Sequence, residues 1–523
     1  MVAVPRHPNT GLLAAGGGIA ALVLLPIGVT AVNAVAAGWD LAVTLLWRPL
    51  TGELLTNTLL LIGCVTVACA VIGTGTAWLV ERTDLPGRKL WGVLAVVPLA
   101  IPAFISSYAW LSLDSSLFAN FYGALLVVTM SYYPLVYLPV AAALREMDPA
   151  LEETARALGN STGQVFLRVV LPQLRPALLG GMLLVALNTL VEFGAFALLR
   201  FRTFTTAIYA AYRAGFSGAE PALLAMVLIV LCIACLVAEQ LVRGNARYGR
   251  LARGTRGKAA RYALGKWALV APVVLAALGF AALAVPLGMI GYWLTQTGNA
   301  ATTVAASDWA AVAQASWSSV QLGAGGAGLT MLLALPLGLL ATRYDGWLVM
   351  VLERAAYLAQ GVPGIAVALA LISLTVHDLH PLYQSHFLLL FAYAVLFLPL
   401  ALVSVRSALL QAQPRLEEAG HSLGLHSFAV LVRITLPLAA PGLGAAAAMV
   451  FISVTTELTA TLLLAPIGTQ TLATQIWADT STVAFAAAAP FAAAMAVMSM
   501  LASWLLARRF GAGSVLSLAH GAV

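Results

Sequence analysis

The chain has 523 residues, of which 61% are hydrophobic and 9% charged, with a mean hydropathy of +0.95. A soluble domain carries about 25% charged residues, so this composition excludes a soluble enzyme or binding module and requires lipid as solvent. The formal charge of +7 does not imply a nucleic-acid partner, which needs a water-exposed basic face; the positive charge sorts instead by side of the membrane.

The first element is an apolar run from Gly11 to Ala36 behind Arg6. Arg6, this run and the Ala34-Val35-Ala36 triplet have the outline of a secretory signal. The run is nevertheless long enough to span and many spans follow, so an uncleaved first helix is expected. Stretches of about 20 uncharged residues cross a hydrocarbon core of ~30 Å. They fall near 56–80, 90–113, 120–144, 177–199 and 222–242, then near 267–294, 317–341, 356–376, 386–410, 440–464 and 484–507. The sequence thus predicts an all-α integral membrane protein of about twelve spans in two sets of six. Pro98, Pro102, Pro134, Pro139, Pro286, Pro336, Pro363 and Pro399 lie inside spans, as membrane helices tolerate. Cys64, Cys69, Cys232 and Cys235 all sit in apolar stretches and are assigned to packing. The CxxC spacing of the last pair lacks the soluble setting of a redox or metal motif.

With the N-terminus inside, the outer loops hold only Arg48, Arg200, Arg202 and Arg213 of the 27 Lys and Arg. This asymmetry predicts a multi-pass protein with both termini in the cytoplasm. The richest segment, Arg243 to Lys266, interleaves Arg247, Arg250, Arg253, Arg256, Lys258 and Arg261 with glycines. It divides the chain into a first repeat at 1–242, a basic cytoplasmic linker at 243–266 and a second repeat at 267–523. The linker either sets topology or also touches anionic lipid.

The two sets are copies. Arg82 and Asp84 before Gly87 answer to Arg343 and Asp345 before Gly346, Pro102 to Pro363, Tyr137-Leu138-Pro139 to Phe397-Leu398-Pro399, and Arg145 to Arg406. A four-residue insertion then brings Glu153 opposite Glu418 and Glu192 opposite Glu457. Six spans per copy make the repeats parallel, related by an axis along the membrane normal.

After the fourth span of each copy comes a long patterned loop. It reads Glu153-Thr154-Ala155, three residues, Gly159, nine residues, Val169, one residue, Leu171-Pro172. The second copy reads Glu418-Ala419-Gly420, then Gly424, Ile434 and Leu436-Pro437 at the same spacing. Asp148-Pro149 and Gln413-Pro414 are helix starts, with Glu152, Glu153, Glu417 and Glu418 in the favourable first turn. Gly159 and Gly424 end the short helix. Amphipathic segments at Gln164 to Leu171 and Phe428 to Leu436 follow, so each loop is predicted to be a helix-glycine-helix elbow able to dock in a partner's groove.

This pattern resembles the EAA loop of the permease subunits of binding-protein-dependent ABC importers: Glu-Ala-Ala, three residues, Gly, nine, Ile, one, Leu-Pro. Thr154, Val169 and Gly420 depart from it without disturbing the spacing. The resemblance implies that Glu153, Ala155, Gly159, Glu418, Ala419 and Gly424 contact ATP-binding subunits, one at each elbow, and that a periplasmic solute-binding protein delivers the substrate. It extends over nearly the whole chain to ferric iron permeases that fuse two such halves. The most specific stretches are Thr456 to Leu464 and Gly468 to Trp477, with counterparts at Val191-Glu192-Phe193-Gly194 and Thr205 to Tyr209. The resemblance thus implies ferric iron as the substrate; thiamine, polyamine and aminoethylphosphonate permeases have relatives of these stretches and are the alternatives.

Glu192 and Glu457 are the two carboxylates expected within spans, where a charge costs at least ~2.5 kcal/mol and faces the bundle interior or a wet cavity. Two readings stand: pathway ligands for a hard trivalent cation or a gate pair, or buried structural carboxylates bonded to Thr189, Thr455, Thr456 or backbone. His377-Asp378-Leu379-His380, near His386, has the residue types of a metal cluster but no match in the first copy, and is read as a solvated outer loop touching the binding protein. No resident metal or cofactor is expected. Nothing matches the phosphate-binding G-x-x-x-x-G-K-[ST] pattern, so ATP hydrolysis falls to a separate subunit and no enzymatic activity is expected. A secondary transporter also uses twelve spans in parallel repeats, but it has no need of duplicated docking elbows.

Overall fold

The structure is a computed structural model describing residues 10–215, 218–243, 261–296 and 309–510. Most of the basic linker, residues 244–260, lies outside the described residues. Among the described residues, regular structure is helical apart from one isolated bridge between Thr83 and Tyr262.

Ten helices are long and apolar enough to cross a membrane. In the first copy they are Thr10–Ala36, Pro49–Arg82, Phe121–Glu146, Thr162–Val191 and Ala219–Ala238. In the second they are Gly265–Thr295, Trp309–Arg343, His386–Gln411, Ser427–Thr455 and Phe485–Leu506. Two bent pairs complete the expected twelve.

The third and ninth spans, expected near 90–113 and 356–376, are these bent pairs. Arg88–Ala100 meets Ala103–Leu113 at 92°, and Trp347–Gly361 meets Gly364–His377 at 104°. The breaks fall at Pro102 and Pro363. Proline forces the residue before it out of helical geometry, and Ile101 (ψ 112°) and Val362 (ψ 117°) are indeed extended. The inner limbs of 11 and 14 residues reach only ~16 and ~21 Å, less than the hydrocarbon core alone.

The fifth and eleventh spans differ from expectation in the opposite way. Each begins earlier, as the second arm of the elbow, and ends earlier, at Val191 and Thr455. Pro172 and Pro437 do not start them but lie inside them, directly after π-helical turns at Phe166–Val170 and Leu431–Thr435. A proline cannot donate to the i−4 carbonyl; the wider turn, closed by Leu171 N–H to Phe166 O and Leu436 N–H to Leu431 O, lets the helix pass it. A helix of ~30 residues is ~45 Å long, so these spans carry the elbow beyond the hydrocarbon.

Packing cuts the chain differently from the sequence repeat. Of the described residues, one compact unit gathers 10–54, 204–215, 218–230, 296 and 309–510, and the other 55–203, 231–243 and 261–295. In the first unit Thr10–Ala36 lies against spans eight and nine of the second copy, with Gly16 under Leu340 and Asn33 Nδ2 donating to Ser373 Oγ at 2.8 Å. In the other unit, the end of Gly265–Thr295 lies against Ala103–Leu113 of the first copy. The leading helix of each copy therefore packs on the body of the other copy. The repeats at 1–242 and 267–523 remain units of sequence.

Candidate coupling elbows and intramembrane carboxylates

Each elbow opens with a nine-residue helix, Pro149–Ala157 and Pro414–Ser422. Proline occupies the first turn, where no intrahelical N–H is lost, and Asp148 Oδ1 accepts from Ala150 N–H at 3.0 Å. Both helices end in the same way. Gly159 (φ 85°) and Gly424 (φ 86°) are left-handed, and the following residue donates back across the turn, Asn160 to Ala155 O at 3.2 Å and Leu425 to Gly420 O at 3.1 Å. This paired closure demands a positive φ, which glycine supplies without a Cβ clash. A capping box between Ser161 and Gln164 starts the second arm of the first elbow; in the second, His426 Nδ1 accepts from Ala429 N–H at 3.2 Å.

The paired glutamates take opposite sides. Glu152 and Glu417 are buried, whereas Glu153 and Glu418 are exposed. The buried carboxylates meet the arginines that end spans two and eight. Arg82 Nη2 lies 2.9 Å from Glu152 Oε1, both side chains at most 3% exposed. Arg343 grips Glu417 through Nε at 3.1 and 3.0 Å and Nη2 at 2.8 Å, and also donates to Leu409 O and Ala412 O. The sequence reading did not separate these anchors from Glu153 and Glu418, although Arg82, Arg343, Glu152 and Glu417 are all duplicated.

Of the residues expected to touch a partner, Glu153, Gly159, Glu418, Ala419 and Gly424 are exposed. Ala155 is not: it is 9% exposed and packs inward. Its counterpart Gly420 is also buried, and a Cβ there would press on the tip of the Ile434 side chain. Small residues at this position let the two arms close, which is a structural task. At the elbow tips, two large apolar side chains absent from the sequence reading stand in the open, Leu158 at 78% and Leu423 at 83% exposure. Each elbow therefore leaves a large apolar side chain in the open at the corresponding position, which a folded chain rarely does without a partner for it.

Glu192 and Glu457 are not inside continuous helices as expected. Each follows the end of its span and starts a short helix, Gly194–Leu198 and Thr459–Leu464. Glu192 Oε1 accepts from Ala195 N–H at 2.9 Å and Oε2 from the Tyr132 hydroxyl at 2.5 Å. Glu457 Oε1 accepts from Ala460 N–H at 2.9 Å, and Oε2 from Thr461 N–H at 3.0 Å and Thr461 Oγ1 at 2.9 Å. A carboxylate over the N-terminus of a helix satisfies donors that otherwise have no partner in lipid. Glu457 also lines a cavity of about 10 Å³ with Ser319, Tyr393, Thr461 and Thr471, space for one water.

Corresponding residues of the two copies meet in one place within the first unit: Tyr209 and Trp477 stand edge to face, 6.2 Å between ring centres. His377 Nδ1 lies 2.8 Å from Ser373 O. Among the described residues no three His, Cys, Asp or Glu side chains converge as a metal site.

The family of binding-protein-dependent transport system inner membrane components matches this chain twice, over residues 71–245 and 334–509. The Fe(3+)-transport system permease protein of Haemophilus influenzae is 36% identical over 484 residues, 92% of this chain and 95% of that protein. The sulfate transport permease of Escherichia coli is 30% identical over 190 residues, 33% of this chain and 68% of its own length. Its spermidine/putrescine transport permease is 28% identical over 163 residues, 28% and 59% of the two chains.

Proposed function

The chain belongs to the family of binding-protein-dependent transport system inner membrane components, and on that premise we propose that it moves ferric iron delivered by a periplasmic binding protein. One observation carries the substrate: similarity to the iron permease runs through both copies, whereas similarity to the sulfate and polyamine permeases covers a third of the chain or less. Two separate ATP-binding subunits supply hydrolysis, one at each elbow, and this chain performs none. The elbows and both termini face the cytoplasm, a reading supported by the four outer arginines among 27 basic residues.

The coupling follows from the helix that leaves each elbow. Glu153, Thr154 and Leu158, or Glu418, Ala419 and Leu423, enter a groove on the ATPase. Closure of the ATPases then swings Thr162–Val191 and Ser427–Thr455 as levers, each ending at Glu192 or Glu457. These carboxylates are pathway candidates: their hard oxygens suit a passing Fe³⁺, and their backbone hydrogen bonds keep them from holding it tightly.

The test is uptake of labelled Fe³⁺ by proteoliposomes containing this chain, its ATPase and its binding protein. We expect ATP-dependent iron uptake, with Glu153→Arg and Glu418→Arg each losing both the co-purifying ATPase and the uptake. Labelled sulfate or spermidine taken up in place of iron would overturn the substrate. Undiminished ATPase binding and uptake in both variants would overturn the elbow assignment.

A further inference from the structure

The segment that ends the linker is seated on the first elbow. Tyr262 pairs with the end of span two through N–H to Arg82 O at 2.8 Å and through its carbonyl to Asp84 N–H at 3.2 Å, and Leu264 N–H donates to Asp84 Oδ1 at 2.8 Å. Its hydroxyl donates to Glu152 Oε2 at 2.8 Å. Its ring lies 5.2 Å from Trp78, which meets Phe166 edge-on at 4.9 Å, and the Arg156 guanidinium sits 4.8 Å above it. Tyr262 itself is 7% exposed. Burial and the hydrogen bond to Glu152 push its phenol up to about 12, so it stays a donor at any physiological pH.

The second elbow solves the same problem internally. Glu417 Oε1 accepts from Thr435 Oγ1 at 2.9 Å. At the offset that relates Glu152 to Glu417, Thr435 answers to Val170, which is fully buried and has no hydroxyl. Trp78 and Phe166, which seat Tyr262, answer to Leu339 and Leu431. The first ion pair is also the poorer one: Arg82 Nε and Nη2 and Glu152 Oε1 are buried without a well-aligned hydrogen bond, where Arg343 engages both oxygens of Glu417. A buried carboxylate oxygen left unsatisfied is costly, and in the first copy Tyr262 is what satisfies the second oxygen.

We infer that Tyr262 is a positioning residue for the first coupling elbow, supplying from the end of the linker the hydroxyl that the second elbow takes from its own Thr435. The inference rests on the elbows being ATPase-docking devices. It gives the fusion of the two copies a mechanical role: the segment preceding the first helix of the second repeat holds the lever of the first.

The experiment measures iron taken up per ATP hydrolysed by the full complex in proteoliposomes, for Tyr262→Phe and for Tyr262→Phe with Val170→Thr. The single variant should lower the ratio by about fivefold or more, the lower end of the effect of one unsatisfied buried acceptor. The added threonine should return most of it, because it restores the arrangement of the second elbow. A wild-type ratio in Tyr262→Phe, even with lowered thermal stability, would overturn the inference, as would a double variant no better than the single one. Loss of the ATPase from Glu153→Arg alongside a wild-type ratio in Tyr262→Phe would overturn this inference alone. Retention of the ATPase and of uptake in both Glu153→Arg and Glu418→Arg would overturn it together with the docking assignment.

Discussion

At the second elbow the buried Glu417 is held by residues of its own copy, Arg343 and Thr435, while at the first Glu152 depends on Arg82 and on Tyr262 from the linker. The helix breaks differ in the same manner. Glu457 is held by backbone and the neighbouring Thr461; Glu192 shares the work between Ala195 N–H and a tyrosine sixty residues away. Arg145 and Arg406 correspond, yet the first pairs with Glu81 and the second with Glu353. What the copies share is the set of positions that dictate backbone: the prolines of the breaks, the left-handed glycines and the carboxylates. Arg82 and Arg343, and the N–H groups of Ala195 and Ala460, serve both copies; the remaining donors to those carboxylates have drifted, because a buried acceptor requires a partner and any element within reach can provide it.

The largest expected effect breaks the comparison at its anchors. Removing one partner of a buried ion pair costs about 3–5 kcal/mol, because the other charge is left behind. Each variant leaves one hydroxyl on its glutamate, Thr435 or Tyr262, but Arg343→Met also strips donors from Leu409 O and Ala412 O. Arg343→Met should therefore lower thermal stability of the purified protein more than Arg82→Met, and release the ATPase more completely. The reverse order would mean that depth of burial outweighs the number of hydrogen bonds, since Arg82 is the more buried of the two.

The elbows were legible in the sequence because their signals are local: Asp148-Pro149 and Gln413-Pro414 open the helix, and Gly159 and Gly424 close it. The division of labour within Glu152-Glu153 and Glu417-Glu418 was not, because a helix dipole favours both positions equally and burial depends on an arginine some seventy residues earlier. The bends at Pro102 and Pro363 escaped for a different reason. A hydropathy window counts uncharged length and is blind to a right-angle turn within it. Glu192 and Glu457 seemed to lie inside spans because the short helices that follow them are as apolar as the spans. The exchange of leading helices left no trace, since an apolar helix surface does not encode which copy it packs on.

A smaller effect sharpens the comparison at the breaks. In Glu457→Gln the amide nitrogen replaces an oxygen that accepts from Thr461 N–H, and a backbone N–H has no acceptor capacity with which to adapt. In Glu192→Gln the corresponding partner is the Tyr132 hydroxyl, which can rotate and accept instead. Glu457→Gln should cost about 1–3 kcal/mol and Glu192→Gln distinctly less, read as a shift in thermal unfolding. Iron uptake normalised to membrane protein level separates this from the pathway role: the double variant should lose uptake beyond what its reduced stability explains. Equal stability losses from the two single substitutions would remove the distinction between the breaks.

The smallest effect concerns a charge present in one copy only. Helices Phe204–Ala214 and Leu472–Ser481 correspond, with Tyr209 facing Trp477, and in that register Asp479 answers to Ala211. Burial raises the Asp479 carboxyl from 3.8 to about 6. A carboxyl whose pKa is higher in the folded protein than in the unfolded chain is favoured when protonated. Its stabilising contribution is complete below about pH 4 and is lost as pH rises through about 6. The side chain is only half buried, so solvent screening keeps the effect small. Thermal stability of the wild type should therefore fall slightly between pH 4 and 7 relative to Asp479→Asn, with the two curves closest at the acid end and the variant the more stable above pH 6. Parallel curves across that range would show that Asp479 does not feel its burial.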